Sequence, residues 1–271
     1  GLLITLREGL EAALIVGIVL GLLRKLGRAD RSRPVWLGVI AAVLTSIVAG
    51  LALNALGMAF EGRAEEIFEG VAMLLAAGVL TWMIFWMQRQ GSQIRAGLEQ
   101  DVQQAVRLGS AGLLFGLSYI AVLREGIETV LFLTAAAFSS TPAQTLIGGS
   151  LGLLIAIGLG WLTFAASKQL NLRTFVRVTG LLLILFAAGL LAHGVHELQE
   201  AALLPVIVEQ VWDVNPILPE DGLAGSLLKA LFGYNGNPSL LEVVSYLGYY
   251  AAIWAANRTH RLRVVVGSPA S

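Results

Sequence analysis

The sequence predicts an all-α, polytopic membrane protein with seven transmembrane helices, six of them forming two inverted three-helix repeats and the seventh an extra helix. Three observations carry that expectation. The 271-residue chain is 56% hydrophobic and 13% charged, with a mean hydropathy of +0.77, the composition of multi-span membrane proteins. Apolar stretches near the roughly 20 residues that a membrane helix needs recur along its length. One charged string also occurs twice inside such stretches, as Leu6-Arg7-Glu8-Gly9-Leu10-Glu11 and as Leu123-Arg124-Glu125-Gly126-Ile127-Glu128.

The first span is expected at about 2–23. It has no basic leader and carries Arg7 and Glu8, so it reads as a true span and not a cleaved signal peptide. Position 1 is Gly and not Met, which predicts that residues precede it. Spans two and three are expected at about 35–58 and 64–87, and spans four to six at about 109–138, 144–166 and 175–198. Small-residue spacings such as Gly17/Gly21 and Gly112/Gly116 favour close helix contact. The longest connection, about 199–239, is acidic and turn-rich around Asn215-Pro216 and Asn235-Gly236-Asn237-Pro238. A short interfacial helix is expected within it at Leu223–Phe232. The segment reads first as a solvated loop, with a cap over the outer mouth or a partner contact as the alternative. Span seven follows at about 240–256.

The repeat extends beyond the charged motif. Ala76-Ala77-Gly78-Val79-Leu80 in span three matches Ala187-Ala188-Gly189-Leu190-Leu191 in span six, and Gly38 and Gly50 correspond to Gly148 and Gly160 at one offset. A three-span unit is odd, so its two copies insert in opposite directions, a recurring transporter plan with the site at the repeat interface. Of the 18 basic residues, all but Arg7, Arg63, Arg124 and Lys229 fall in alternate connections or the tail. The excess of Lys and Arg marks the cytoplasmic side, which places the N-terminus outside and the C-terminus inside.

Net charge is zero and there are no cysteines. No basic surface points to nucleic acid, and thiolate metal sites and disulfides are excluded, which favours an oxygen-rich site. On a helix, Glu8 and Glu11 share a face, as do Glu125 and Glu128. A carboxylate at bilayer depth costs on the order of 3 kcal/mol even on a lenient scale. Each Arg lies four residues before the second Glu of its motif, so a self-neutralised pair that only holds helices together is one reading. That reading leaves Glu8 and Glu125 unpaired, and four glutamates against two arginines fit a hard cation better.

Two further groups carry ligand chemistry. Glu65, Glu66 and Glu69 open span three, where carboxylates also favour a helix N-terminus without any ligand. His193, His196, Glu197 and Glu200 close span six, where His is also favoured by the helix dipole; as ligands they would add nitrogen and oxygen donors. Trp82, Phe85 and Trp86 read as an interfacial aromatic belt. The acidic outer groups, the central pairs and the basic inner face define a track along which a cation would enter. No phosphate-binding loop of the G-x-x-x-x-G-K-[ST] kind occurs, so direct ATP use is not expected.

With Arg7–Glu11 and Arg124–Glu128 standing in the first and fourth of seven spans, the chain resembles the oxidase-linked iron permease family, the Ftr-type ferric permeases and their bacterial EfeU-like branch. The runs Glu65-Glu66-Ile67-Phe68-Glu69-Gly70 and Thr81-Trp82-Met83-Ile84-Phe85-Trp86-Met87 look like the bacterial members, and the resemblance covers essentially the whole chain. It implies a single transmembrane permease domain over 1–271, with repeat one at about 1–88 and repeat two at about 109–198. It implies a transporter and not an enzyme, with no permanently bound cofactor and iron as the transported substrate. Glu8, Glu11, Glu125 and Glu128 would then bind ferric iron, with Glu65, Glu66 and Glu69 on the entry path and Arg7 and Arg124 in support. The expected setting is the cell inner (plasma) membrane. The expected partners are the iron ion, the lipid bilayer and separate periplasmic iron-binding or oxidase proteins, with a homo-oligomer left open. The alternatives are another cation, such as ferrous iron, manganese or lead, and a membrane metalloenzyme built on His193-x-x-His196-Glu197 and the Glu pairs.

Overall fold

The computed structural model describes the backbone of residues 1–138, 142–165, 172–220 and 222–266. Within these, it describes all side chains except those at 88–96, 142, 163–165, 172–177, 223, 227, 230, 231, 257 and 259–266. The described residues form α1 (Leu2–Lys25), α2 (Ser32–Gly57), α3 (Arg63–Arg107), α4 (Ala111–Phe138), α5 (Pro142–Ala165), α6 (Leu172–Glu200), α7 (Leu223–Phe232) and α8 (Leu240–Val266), with a short 3-10 turn at Ala29–Arg31. The fold is all-α as expected. Among the described residues, four segments are long and apolar enough to cross a membrane, namely Ala29–Gly57, Arg63–Met87, Ala143–Leu162 and Val178–Glu200, and Leu240–Ala256 is a shorter apolar helix. Helices α1 and α4 are as long, at 24 and 28 residues. What sets them apart is the three motif charges that each carries. The chain is a multi-pass membrane protein.

The chain divides into two compact units, Gly1–Phe60 with Val79–Leu183 and Glu61–Gly78 with Ile184–Ser271. In the first, α1 packs along α5, α4 along α2, and α1 crosses α4. Close approach is permitted by glycine. A methyl group placed on Gly9 of α1 would lie 2.9 Å from Ala156 Cβ of α5, and one on Gly126 of α4 would overlap the Ser46 side chain of α2. These contacts match: Gly9 and Gly126 hold the same place in the motif, and Ala156 and Ser46 share the offset that relates Gly160 to Gly50. The same exchange turns the Gly50–Val130 approach into Gly160–Ala13, and the Gly38 approach to Ser118 and Tyr119 into the Gly148 approach to Gly1 and Leu2. Small residues at such crossings let membrane helices gain van der Waals contact where no hydrophobic effect drives them together.

Helix α3 departs from the sequence reading. Residues 88–108 are expected as a connection, but the helix continues to Arg107. No proline interrupts 88–107, and the stretch is rich in Gln and Arg, both of them good helix formers. Its last turns also have something to bury. Val102 and Ala105 pack with Val19, Leu23, Val35 and Leu114 in a fully buried cluster. The stop comes at Gly109, at φ +67°, where its N–H reaches Val106 O at 3.1 Å and Ser110 N–H reaches Ala105 O at 3.1 Å. Of the basic residues used for orientation, Lys168 lies outside the described residues.

In the second unit, the start of α3 crosses the end of α6 at Gly70 and Gly194, where a methyl on either would meet the other's carbonyl at 3.0 Å. The 199–239 connection is tied down more firmly than a solvated loop. Val211 N–H donates to Pro238 O, Val214 N–H to Gly236 O and Leu240 N–H to Val208 O, at 2.8–3.1 Å. Asn215 Nδ2 also donates to Asn237 Oδ1 between those limbs, at 3.3 Å. Helix α7 has the expected bounds and ends on Gly233 in the left-handed conformation. Along 205–213 the segment is exposed.

Candidate functional site: a buried carboxylate cluster

The doubled motif puts its charges where α1 meets α4. One oxygen each of Glu8, Glu11 and Glu125 lie within 4.8 Å of one another. Helical spacing explains the pairing inside each copy: Arg7 Nε donates to Glu11 Oε1 at 3.0 Å, and Arg124 Nε to Glu128 Oε1 at 2.9 Å. The α1–α4 crossing explains the rest, because it brings Glu125 to the α1 pair.

The cluster is buried and unsatisfied. Glu8 is 0% exposed and, among the described residues, neither of its oxygens has a hydrogen-bond partner; Glu125 Oε2 and Glu128 Oε2 are buried without one as well. Arg7 Nη1 lies 3.6 Å from Glu8 Oε1, an ion-pair distance too long for a hydrogen bond. A buried polar atom without a partner costs about 1–3 kcal/mol, more when charged, so these atoms are expensive to hold in place. Carboxylate oxygens gathered this closely could hold an oxygen-preferring cation. Four carboxylates facing two guanidiniums leave surplus negative charge for it to neutralise.

The two arginines sit differently. Arg7 is 1% exposed and its Nη2 reaches Met87 Sδ. The Arg124 side chain is 38% exposed, with its guanidinium 4.4 Å from the centre of the Trp86 ring, a cation–π contact. Trp82 stacks on Trp86 at 6.1 Å. Trp86 therefore supports the motif, a role that the belt reading did not anticipate and that no spacing in the sequence signals.

The other predicted residues lie in the second unit. Glu65 is exposed and Glu66 and Glu69 are half-buried at the start of α3. Arg63 beside them donates from Nε to Ala201 O at 2.8 Å. His193 is buried, with Nδ1 3.3 Å from Gly189 O. His196 is engaged at both ring nitrogens, by Glu242 at 3.0 Å and Glu200 at 3.4 Å, and Glu197 is half-buried. Among the described residues, no three His, Asp or Glu side chains besides Glu8, Glu11 and Glu125 gather their ligand atoms this closely. Glu242 was missed by the sequence reading. It is 2% exposed and accepts from Asn235 Nδ2 at 2.7 Å and Ser239 N–H at 3.0 Å. Its signal was present: Ser239-Leu-Leu-Glu242 is a capping box, with Glu242 N–H 3.3 Å from Ser239 Oγ.

Comparison with known proteins gives the class. Residues 1–264 match the iron permease FTR1 family. The chain is 35% identical over 249 residues to the ferrous iron permease EfeU of Escherichia coli O6:K15:H31, covering 91% of this chain and 90% of that one. The same identity and coverage relate it to the putative inactive ferrous iron permease EfeU of Escherichia coli K12. To the ferrous iron permease EfeU of Yersinia pestis it is 33% identical, covering 91% of this chain and 88% of that one. No solved structure matches. The chain belongs to the iron permease FTR1 family. It is accordingly a transporter and not an enzyme, which removes the metalloenzyme alternative.

Proposed function

We propose that this permease carries iron across the bacterial inner membrane through the motif carboxylates Glu8, Glu11, Glu125 and Glu128, with Arg7 and Arg124 holding them charged and oriented. The single observation behind this reading is the buried, unpartnered Glu8 carboxylate facing Glu11 and Glu125. The oxygen-only donors favour a hard ion, and on that ground the proposed substrate is ferric iron. The printed names of the relatives favour a second reading, ferrous iron.

The frame of this proposal is seven spans, α1 to α6 and the apolar part of α8. Spans one to three and four to six form inverted repeats, supported by the pair-by-pair match of the α1/α5 and α4/α2 contacts. The N-terminus lies outside and the C-terminus in the cytoplasm, on the distribution of basic residues. The carboxylates Glu65, Glu66 and Glu69 would then recruit iron at the outer mouth, with His193, His196, Glu197 and Glu200 near the end of α6 as further candidates. Oxidation or collection of iron falls to separate periplasmic partners.

Purified protein alone, reconstituted in proteoliposomes, tests the reading with radioactive iron supplied as ferric citrate or as ascorbate-reduced ferrous iron. Uptake of ferric citrate is the expected result. Uptake of the ferrous form alone replaces the ferric reading with the ferrous one, and uptake of neither refutes iron transport by this chain unaided.

A further inference from the structure

The carboxylate cluster is not symmetric, although the motif that builds it is. Exchanging the two repeats turns Glu8 into Glu125 and Glu11 into Glu128. The gathered set is Glu8, Glu11 and Glu125, so its image under that exchange is Glu8, Glu125 and Glu128. Both sets contain Glu8 and Glu125. They differ only in whether α1 or α4 supplies the third carboxylate. Glu128 is left out of the set, yet its Oε2 is buried without a hydrogen-bond partner while Oε1 stays on Arg124. Glu11 likewise keeps its Oε1 on Arg7, at 3.0 Å.

The surroundings are unequal in the same sense. Arg7 is sealed at 1% exposure, whereas the Arg124 side chain is 38% exposed. The scaffold beneath is nevertheless matched, because Gly9 on Ala156 corresponds to Gly126 on Ser46, and Gly50 on Val130 to Gly160 on Ala13. Matched contacts in the two halves supply a scaffold on which two packings can exchange, as a bistable element requires.

We infer that Glu8, Glu125 and Glu128 form a second, latent iron site, and that the ion crosses by trading Glu11 for Glu128 while Glu8 and Glu125 stay bound. One carboxylate–metal contact breaks as another forms, so the charge around the ion is constant through the step. Neither Arg–Glu pair has to open if each second glutamate keeps Oε1 on its arginine and binds the ion through Oε2. The conformation described here is the one in which α1 supplies the third ligand. This inference rests on the reading of the cluster as the iron site.

The test is the half-saturating iron concentration measured from each face. Right-side-out and everted vesicles from cells expressing the chain are compared, after subtraction of vesicles from cells lacking it. The probe is ferric citrate or ascorbate-reduced ferrous iron, whichever the wild type carries. Loss of a group that only supports a ligand commonly costs 10–100-fold in metal affinity, so loss of a ligand carboxylate should cost at least about tenfold. Glu11→Gln should therefore raise half-saturation chiefly from one face and Glu128→Gln chiefly from the other, moving the ratio between faces in opposite directions. Glu11→Asp and Glu128→Asp, which keep the charge and shorten the reach, should move it the same ways by less, and they stand in if either Gln variant fails to fold. A ratio that moves in the same direction for both positions, or not at all, overturns the exchange while leaving the iron site intact. A wild type that carries no iron from either face overturns the iron reading and the exchange with it.

Discussion

Replacing Arg7 should cost far more stability than replacing Arg124, although the two occupy equivalent places in the motif. Arg7 is 1% exposed, donates to Glu11 at 3.0 Å, lies 3.6 Å from Glu8 and touches Met87 Sδ. Arg7→Gln would strip the counter-charge from Glu8, which is 0% exposed, and from Glu11, whose side chain is 15% exposed, and breaking a buried pair in this way costs about 3–5 kcal/mol. The Arg124 side chain is 38% exposed, with Glu128 and the Trp86 ring as partners. That pair is less enclosed, so Arg124→Gln should cost about 1–2 kcal/mol from the ion pair and cation–π contact together. Arg7→Lys keeps the charge but loses the fork that engages Glu11 and Glu8 together, and it should fall between the two. Unfolding midpoints in mixed micelles, followed by denaturant titration, measure the order. Equal losses for Arg7→Gln and Arg124→Gln would refute the claim that burial distinguishes the two arginines.

Three further outcomes are expected. Gly126→Ala drives a methyl group into Ser46 and should destabilise the protein by about 1–3 kcal/mol; Ser46→Gly in the same chain should restore most of it, and no recovery would remove the α2–α4 contact as the cause. Ser239→Ala breaks the capping box on α8 and the Ser239 Oγ bond to Gln199 at 2.7 Å, for an expected loss of about 0.5–2 kcal/mol in thermal unfolding. Neutralising Glu65 and Glu66 together should raise the iron concentration for half-maximal uptake more than it lowers the maximal rate, whereas an unchanged half-saturation point leaves those carboxylates as helix N-terminal charges only.

Much of the arrangement is legible in the sequence because membrane helices are written in long apolar runs and their exceptions stand out. The motif glutamates announce themselves because charge is rare in such runs, and Gly38, Gly50, Gly148 and Gly160 mark where helices touch. A methyl on Gly17, Gly21 or Gly116, expected as close-contact positions, would instead meet nothing within 4 Å among the described residues. The end of α3 is not legible in that way. Residues 88–107 are polar, so hydropathy marks the edge of the membrane there, while the backbone continues helical until Gly109. The asymmetry of the cluster is hidden for a different reason. Two copies of one motif look alike in sequence, and only packing decides that Glu11 joins Glu8 and Glu125 while Glu128 does not. Glu242 shows the opposite case. Its capping box is plain in the sequence, but its contact with His196 joins α8 to α6 across 46 residues, and that closure depends on how the chain folds back.

The claim that the shared carboxylates Glu8 and Glu125 carry the ion is tested most directly by iron uptake through the double variant Glu8→Gln/Glu125→Gln, assayed in proteoliposomes at matched protein content. Gln fills the same volume and keeps a polar terminus, so the change removes charge and one acceptor while sparing the packing at α1 and α4. The expected result is uptake at the level of protein-free liposomes with folding retained by size-exclusion chromatography. Uptake near the wild-type rate would contradict the account.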